Sequence, residues 1–440
     1  MKLPEDVPTV GDEFQRNGYD AALIGKAHFQ PLQSADGMES LESYPKLRDL
    51  DFWRSFHGPF YGFNHIEVGR MHADESHVGQ HYAIWMEEKG LLNWRDYFQP
   101  WPPVPNKTET DKYWEAGRQH TWDLPAEFHY TTWTAERSIA RIEENVANGK
   151  PFFLWASFHD PHPPYLVPEP WASLYDPEDM ELPPGPAPGE LELLPSHFAR
   201  TQEQNPDYSE FKETPFANHG LHTHRIDDDV MKKNLAAYYG MTSFMDAEIG
   251  RILDKLDALG IADNTLVVFT TDHGHFFGQH GLNAKGPFHF EDLLKLPFIV
   301  RWKNGNVPAG AVNDSLQALI DLPTTFLAAC GFAIPGLMQG LNQLPSWRGE
   351  RETVREEVLV ENRHQPTKVH LRTYIDERYK LTVYRDHAFG EFFDLREDPN
   401  EQRNLWNDPS RAADKATTFQ KFINSELKRE PTRMPRIANA

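Results

Sequence analysis

Residues 264–301 read NTLVVFTTDHGHFFGQHGLNAKGPFHFEDLLKLPFIVR, and their pattern decides the fold class. Leu266-Val267-Val268-Phe269 is an apolar, β-rich run too short for a helix, so it reads as a buried strand. It delivers Thr270, Thr271, Asp272 and His273 to its C-terminal end, where Gly274 turns the chain. Ligands and catalytic groups in open α/β sheets collect at the carboxyl ends of strands. Asp272 offers a hard oxygen donor and His273 an imidazole, so the pair fits one metal ion; equally, such residues decorate many turns, and two donors do not make a site. Lys285 follows, then Pro297-Phe298-Ile299-Val300, a second apolar run read as a buried strand.

The 440-residue chain is long enough for a large core and for two or more domains. Its 39% hydrophobic and 25% charged residues are ordinary for a folded globular protein. A formal net charge of −22 argues against nucleic acid and anionic membrane as partners. The same charge repels anionic small molecules at long range, so any sulfate or phosphate site must be locally positive. No apolar run reaches bilayer-spanning length. Met1-Lys2-Leu3-Pro4 leads into no apolar signal segment, which implies a cytoplasmic location if the start is genuine. Cys330 is the only cysteine, so no internal disulfide forms, and its apolar neighbours Phe326, Leu327, Ala328 and Ala329 mark it as a small core residue. Nothing in the pattern fixes an oligomeric state.

From the N-terminus, Val7 to Arg16 reads as an amphipathic helix closed by Asn17-Gly18, and Ala21-Ala22-Leu23-Ile24 as a short strand. Gly25-Lys26-Ala27-His28 stands just past that strand's end. Between Gln30 and Lys150 aromatics and prolines dominate without strong periodicity. His65, His72, His77 and His81 show no metal-ligand spacing and read as solvated or core histidines, and residues 94–105 read as an irregular loop. Thr131 to Ala147 forms a helix capped by Thr131 or Thr132, with Ile139, Ile142 and Val146 on one face. Pro151 to Phe158 is a third buried strand. It ends in His159-Asp160-Pro161-His162-Pro163-Pro164, whose prolines restrict the backbone. Residues 167–215 make a proline- and acid-rich surface excursion of the kind that shapes pockets. His222 and His224 either face substrate or metal from an extended segment or lie exposed on a loop. Lys232 to Leu259 is a long helix with Tyr238, Met241, Met245, Ile249, Ile252 and Leu256 inward, ended by Gly260. Asp321 to Ala329 is a helix and 339–351 a linker. Short alternating runs from Val358 to Leu395 read as a small antiparallel sheet, followed by a terminal helix.

In this order the pieces resemble the sulfatases, the formylglycine-dependent branch of the alkaline-phosphatase superfamily. The residues that carry the resemblance are Thr271-Asp272-His273-Gly274, Gly278-Gln279-His280-Gly281-Leu282, Lys285, Gly25-Lys26-Ala27-His28 and Pro161-His162-Pro163. Met245-Asp246-Ala247-Glu248-Ile249-Gly250, Arg378-Tyr379-Lys380-Leu381 and Phe393-Asp394-Leu395 extend it toward the C-terminus. The resemblance implies an α/β, alkaline-phosphatase-like fold: a large mixed sheet flanked by helices over residues 1–345, N-terminally incomplete, then a subdomain over 346–440 with a small antiparallel sheet and terminal helix. It implies hydrolysis of sulfate monoesters, with a small-molecule sulfate ester or sulfated sugar as partner. Lys26 and Lys285 would steady the sulfate oxygens. His162 would protonate the leaving oxygen, with His159 a pocket wall or a satisfied hydrogen-bonder beside it. His28 would help a sulfated hemiacetal collapse. Asp272 and His273 would be half of a metal cage. Calcium is the implied ion and manganese the alternative, because His273 places nitrogen where many members have Asn. Relatives with the same His act on choline sulfate and on phosphonate or phosphate esters, which widens the substrate class. Lys26, His28, His162, Asp272, His273 and Lys285 are expected to converge at one pocket.

Two pieces of the family pattern are missing. One is a first apolar strand ending in two acidic metal ligands; the other is Cys/Ser-x-Pro/Ala-x-Arg, whose first residue becomes formylglycine. Cys330 is followed by Gly331-Phe332-Ala333-Ile334, and Asp227-Asp228-Asp229 follows no apolar strand. The expectation is an N-terminally incomplete chain, inactive by the family's mechanism as it stands. The rival readings are a phosphonate or phosphate ester hydrolase of the same superfamily and a non-catalytic pseudoenzyme or binding protein.

Overall fold

The computed structural model describes residues 3–5, 7–32, 34, 38–101, 121–203, 206–211, 226–363 and 368–429. His222 and His224 lie outside them, as do residues 102–105 of the loop expected over 94–105, whose described part holds a 3-10 turn at Trp94–Tyr97. The chain forms two compact units, Met1–Glu181 with Asp228–Thr265, and Leu182–Asp227 with Leu266–Ala440. The boundary expected at residues 345–346 falls inside the second.

The first unit is built on a parallel sheet in the order β2-β1-β3, with β1 at Asp20–Gly25, β2 at His65–Val68 and β3 at Phe152–Ser157. β1 is buried at all six positions. Gly25 stands opposite both Val68 and Ser157, so the three strands finish level. Helix α1 (Val10–Arg16) is fixed by a capping box between Thr9 and Asp12, and its Phe14 stacks on Phe153 at 4.5 Å. At the other end of β1 the buried Asp20 carboxylate accepts from Asn145 at 3.0 Å, Asn64 at 2.7 Å and Arg141 Nε at 2.8 Å. Burial alone would raise its pKa, yet Arg141, Asn145 and Asn64 hold it at about 2.

Helix α2 spans Leu50–Ser55, α3 Gln80–Glu88, α4 Tyr130–Ala147 and α5 Asp228–Ala258. The cap of α4 is His129, whose ring accepts the Thr131 amide, in place of the threonines expected. No periodicity announced α3, for a physical reason: Gln80 through Met86 are all buried, so the helix has no polar face to alternate with. Strand β3 departs from its expected burial. It pairs with β1 alone among the described residues, and Trp155 is 45% exposed.

The second unit holds a four-stranded antiparallel sheet, β11-β10-β9-β8, formed by β8 (Glu357–Asn362), β9 (Leu371–Asp376), β10 (Tyr379–Tyr384) and β11 (Gly390–Asp394). Two ladders precede it: β4 (Val267–Thr270) with β7 (Phe298–Arg301), and β5 (Phe276–Phe277) with β6 (Asn283–Ala284). The apolar runs read as fully buried strands are half-buried here, with Ile299 62% exposed, because β4 and β7 pair only with each other among the described residues. Helices α6 (Glu291–Leu294), α7 (Asp321–Ala329), α8 (Leu344–Trp347) and α9 (Ala412–Arg429) belong to the unit, as do the short helices Glu190–Leu193 and Ser196–Arg200.

Two expectations are corrected here. Cys330 is exposed: it caps the C-terminal end of α7 and sits on the solvent side of the last turn. The stretch read as a linker contains α8 and is tied down, since buried Asp321 accepts from Gln343 at 2.8 Å and from Arg355 Nε at 2.9 Å. No described helix is long and apolar enough to cross a membrane.

Candidate active site

In the first unit the level ends of three parallel strands each deliver polar residues. A Cβ at Gly25 would lie 1.9 Å from the Ser157 carbonyl, so only glycine lets β1 and β3 close together there. The Lys26 amide then donates to that carbonyl at 3.0 Å. His28 follows with φ +64, a left-handed conformation that costs a non-glycine residue about 1 kcal/mol or more. Its strain is held by Glu42, whose buried carboxylate accepts the amides of His28, Phe29 and Gln30 at 2.9, 2.8 and 3.0 Å. Burial pushes the Glu42 carboxyl up, against the lowering influence of Arg70 and those amides. Arg70 Nε lies 3.5 Å from Glu42.

β3 leads to the two histidines of the proline-rich turn. His162 donates from Nδ1 to the Pro163 carbonyl at 2.6 Å, which fixes the orientation of the ring. His159 is buried, with Nε2 at 2.9 Å from the Gly69 carbonyl, and its pKa is driven down to about 3 by burial and by Lys26 and Arg70 nearby. It is therefore a neutral wall. Between them, Asp160 accepts from the Tyr130 hydroxyl and from Thr131 at 2.9 Å, yet burial raises its pKa to about 7.

β2 leads to residues that the sequence reading set aside. The His72 ring stacks on His162 with centroids 3.7 Å apart and planes 15° off parallel, and His72 Nδ1 lies 3.2 Å from Glu75. Irregular spacing hid His72, Glu75, Arg70 and Glu42. The usable signal was positional: Gly69-Arg70-Met71-His72 follows β2 as Gly25-Lys26-Ala27-His28 follows β1.

The second unit carries Asp272, His273 and Lys285. Asp272 and His273 sit just past β4, and Lys285 just past β6. His273 Nδ1 donates to the Gly274 carbonyl at 2.7 Å, and its Nε2 accepts from Lys285 Nζ at 3.0 Å. That tautomer keeps a lone pair on Nε2, the form in which imidazole binds a metal. Asp272 Oδ2 lies 3.5 Å from His273 Nε2, a separation compatible with two donors on one ion. The pair therefore fits part of a cation's shell. Among the described residues no third His, Cys, Asp or Glu completes a cluster. Neighbouring His275 is held near a pKa of about 3 by burial and by the charge of Lys285.

Of the six residues expected from the sequence, Lys26, His28 and His162 thus belong to one unit, and Asp272, His273 and Lys285 to the other.

A family model described as Sulfatase matches residues 1–332, and one described as N-sulphoglucosamine sulphohydrolase, C-terminal, matches 278–429. The multifunctional alkaline phosphatase superfamily protein PehA of Trinickia caryophylli is 28% identical over 333 residues, covering 69% of this chain and 60% of its own. An arylsulfatase of Clostridium perfringens is 25% identical over 406 residues, covering 91% of this chain and 74% of its own. The chain thus spans under two thirds of the first relative and about three quarters of the second. Phosphonate monoester hydrolase from Silicibacter pomeroyi shares the fold, with a TM-score of 0.73, 22% identity, and coverage of 98% of this chain and 82% of that one.

Proposed function

The chain belongs to the sulfatase family, and from that premise we propose that it works in the metal-dependent hydrolysis of sulfate monoesters, with a sulfated sugar as the substrate class. The fold is the alkaline-phosphatase-like α/β fold of its structural neighbour. A divalent metal and a formylglycine belong to the family at large. This sequence holds no Cys/Ser-x-Pro/Ala-x-Arg run.

The observation that carries the reading is the state of His273. Its Nε2 lone pair is exposed to Lys285 at 3.0 Å and lies 3.5 Å from an Asp272 carboxylate oxygen. A bound cation there would neutralise charge on sulfate oxygens. Calcium suits the Asp272 oxygen, and the His273 nitrogen also admits manganese. Lys285 places a point charge beside the same ligand, and Lys26 supplies another at the end of β1. Lys26 and Lys285 supply the local positive charge that a chain of net charge −22 requires for an anionic substrate. His162, with Nδ1–H donating to the Pro163 carbonyl, would act as an imidazolium that gives its Nε2 proton to the departing alkoxide and is left as the neutral Nδ1–H ring. His28, fixed by the Glu42 clamp, is the base or acid for the second step.

The sugar sulfate class is favoured by the match over residues 278–429 to a family named for an amino-sugar sulfate hydrolase. The second reading, a phosphonate or phosphate ester hydrolase, is favoured by the fold shared with phosphonate monoester hydrolase and by the similarity to PehA. A substrate screen separates them, using the gene product expressed from its natural locus with a formylglycine-generating enzyme. Sulfate release from glucosamine sulfates, abolished by Lys285→Ala, is expected. Faster turnover of phenylphosphonate monoesters would move the second reading forward, and turnover of neither class would leave a binding protein.

A further inference from the structure

The Gly278-Gln279-His280-Gly281-Leu282 turn stands apart from every role assigned above, yet it holds the most unusual histidine of the second unit. His280 is 6% exposed and adopts φ +56, where glycine or asparagine would be less strained. Its Nδ1–H donates to Glu190 Oε1 at 2.5 Å, on the short helix Glu190–Leu193. Its Nε2 faces Asp292 Oδ2 on α6 at 3.6 Å, and its ring stacks on Phe290 at 3.6 Å with planes 6° apart. Burial disfavours its charge, but the bonds to Asp292 and Glu190 prevail and raise its pKa to about 9. A buried imidazolium thus lies between two carboxylates, with Glu401 and Glu391 farther off. Lys380 balances that excess of acid by pairing Glu291 and Glu401, each at 2.7 Å.

The same helix that receives His280 also supports the candidate metal ligands. The Gly274 amide, next to His273, donates to the Leu293 carbonyl of α6 at 2.8 Å. A Cβ at Gly274 would lie 2.0 Å from the Asp292 carbonyl, so turn and helix touch backbone to backbone. On its other side His280 sits at the tip of the β5–β6 hairpin, where Gly278 donates to Leu282 at 2.9 Å, and that hairpin delivers Lys285. We propose that His280 is a positioning residue: its charged ring, clasped by Glu190 and Asp292, locks the Lys285 hairpin to α6 and through α6 fixes the Thr271–Gly274 turn. The purpose of the lock rests on the hydrolase reading, but the lock itself is a property of the turn and fails or stands separately.

Hydrogen–deuterium exchange on the whole chain tests it without any need for activity. His280→Phe keeps a ring against Phe290 and removes the charge. Glu190→Gln leaves His280 in place and weakens the clasp. Both variants should speed exchange across residues 271–275 by about tenfold at neutral pH while β9 and β10 keep wild-type protection. In the wild type the same peptide should lose protection, beyond the intrinsic effect of base, as pH rises through about 9, where His280 gives up its proton. Unchanged exchange in both variants overturns the proposal. So does an equal rise in β9 and β10, which would make His280 a general stabiliser only. Slow exchange at 271–275 in an inactive protein would instead count against the hydrolase reading and leave the lock intact.

Discussion

His159 in the first unit and His280 in the second are both buried histidines near candidate catalytic residues, and they stand in opposite charge states. His159 lies near Lys26 and Arg70, and burial with those cations holds its pKa at about 3. His280 lies between Glu190 and Asp292 and is held at about 9. Burial works against the proton in both, so the neighbours decide. The strand ends of the first unit gather cations around neutral rings. Around His280 the second unit instead gathers carboxylates about buried cations, with Lys380 between Glu291 and Glu401 as the extreme case.

The comparison breaks most visibly at Lys380. Lys380→Met removes the partner of Glu401, which is 1% exposed, and leaves a buried carboxylate unpaired. A loss of about 3–5 kcal/mol is expected by urea denaturation. A loss below about 1 kcal/mol would mean that the carboxylates there do not depend on a cation.

His280 should respond next, with a distinctive pH dependence. Its folded pKa of about 9 lies above the ordinary 6.5, so its contribution is complete below 6.5 and is lost as pH rises through 9. The contribution is on the order of 3 kcal/mol. The stability gap between wild type and His280→Phe should therefore be widest near pH 6 and close by pH 10. His159 predicts the reverse sign and the smallest effect at neutrality. Its folded pKa is depressed, so the unfolded chain takes the proton first and stability falls as pH drops below 6.5. His159→Phe should cost about 1 kcal/mol at pH 7, for the bond to Gly69, and should flatten the acid side of the stability curve between pH 6.5 and 4. A variant as acid-sensitive as the wild type would contradict the assignment of a neutral, buried His159.

The sequence revealed the strands and the long helices because their signals are local. The strand at Val267 to Thr270 and the helix at Asp228 to Ala258 each declare themselves in a continuous stretch of sequence. It revealed Lys26, His28, His162, Asp272, His273 and Lys285 through motifs, and five of the six stand within a few residues of a strand end. It could not reveal what depends on pairing across the fold. β3, β4 and β7 are apolar enough to read as buried, and only the sheet order shows that each has a single partner among the described residues. Helix α3 has no polar face to give it a period. Glu42 serves His28 from 14 positions away, and Glu190 serves His280 from 90. His72 was passed over because its partner is the His162 ring, and no spacing in the chain records a stack.

That stack bears on the central claim, that His162 is the proton donor to the leaving group of a sulfate ester. The direct measurement compares wild type with His162→Ala on two sulfates, using the gene product expressed from its natural locus. An amino-sugar sulfate leaves as an alkoxide that needs a proton, whereas 4-nitrophenyl sulfate leaves as an anion stable without one. The account predicts that His162→Ala lowers kcat on the sugar sulfate by about 10³-fold and on the nitrophenyl ester by less than about tenfold. An equal loss on both esters, or none on the sugar sulfate, would contradict it.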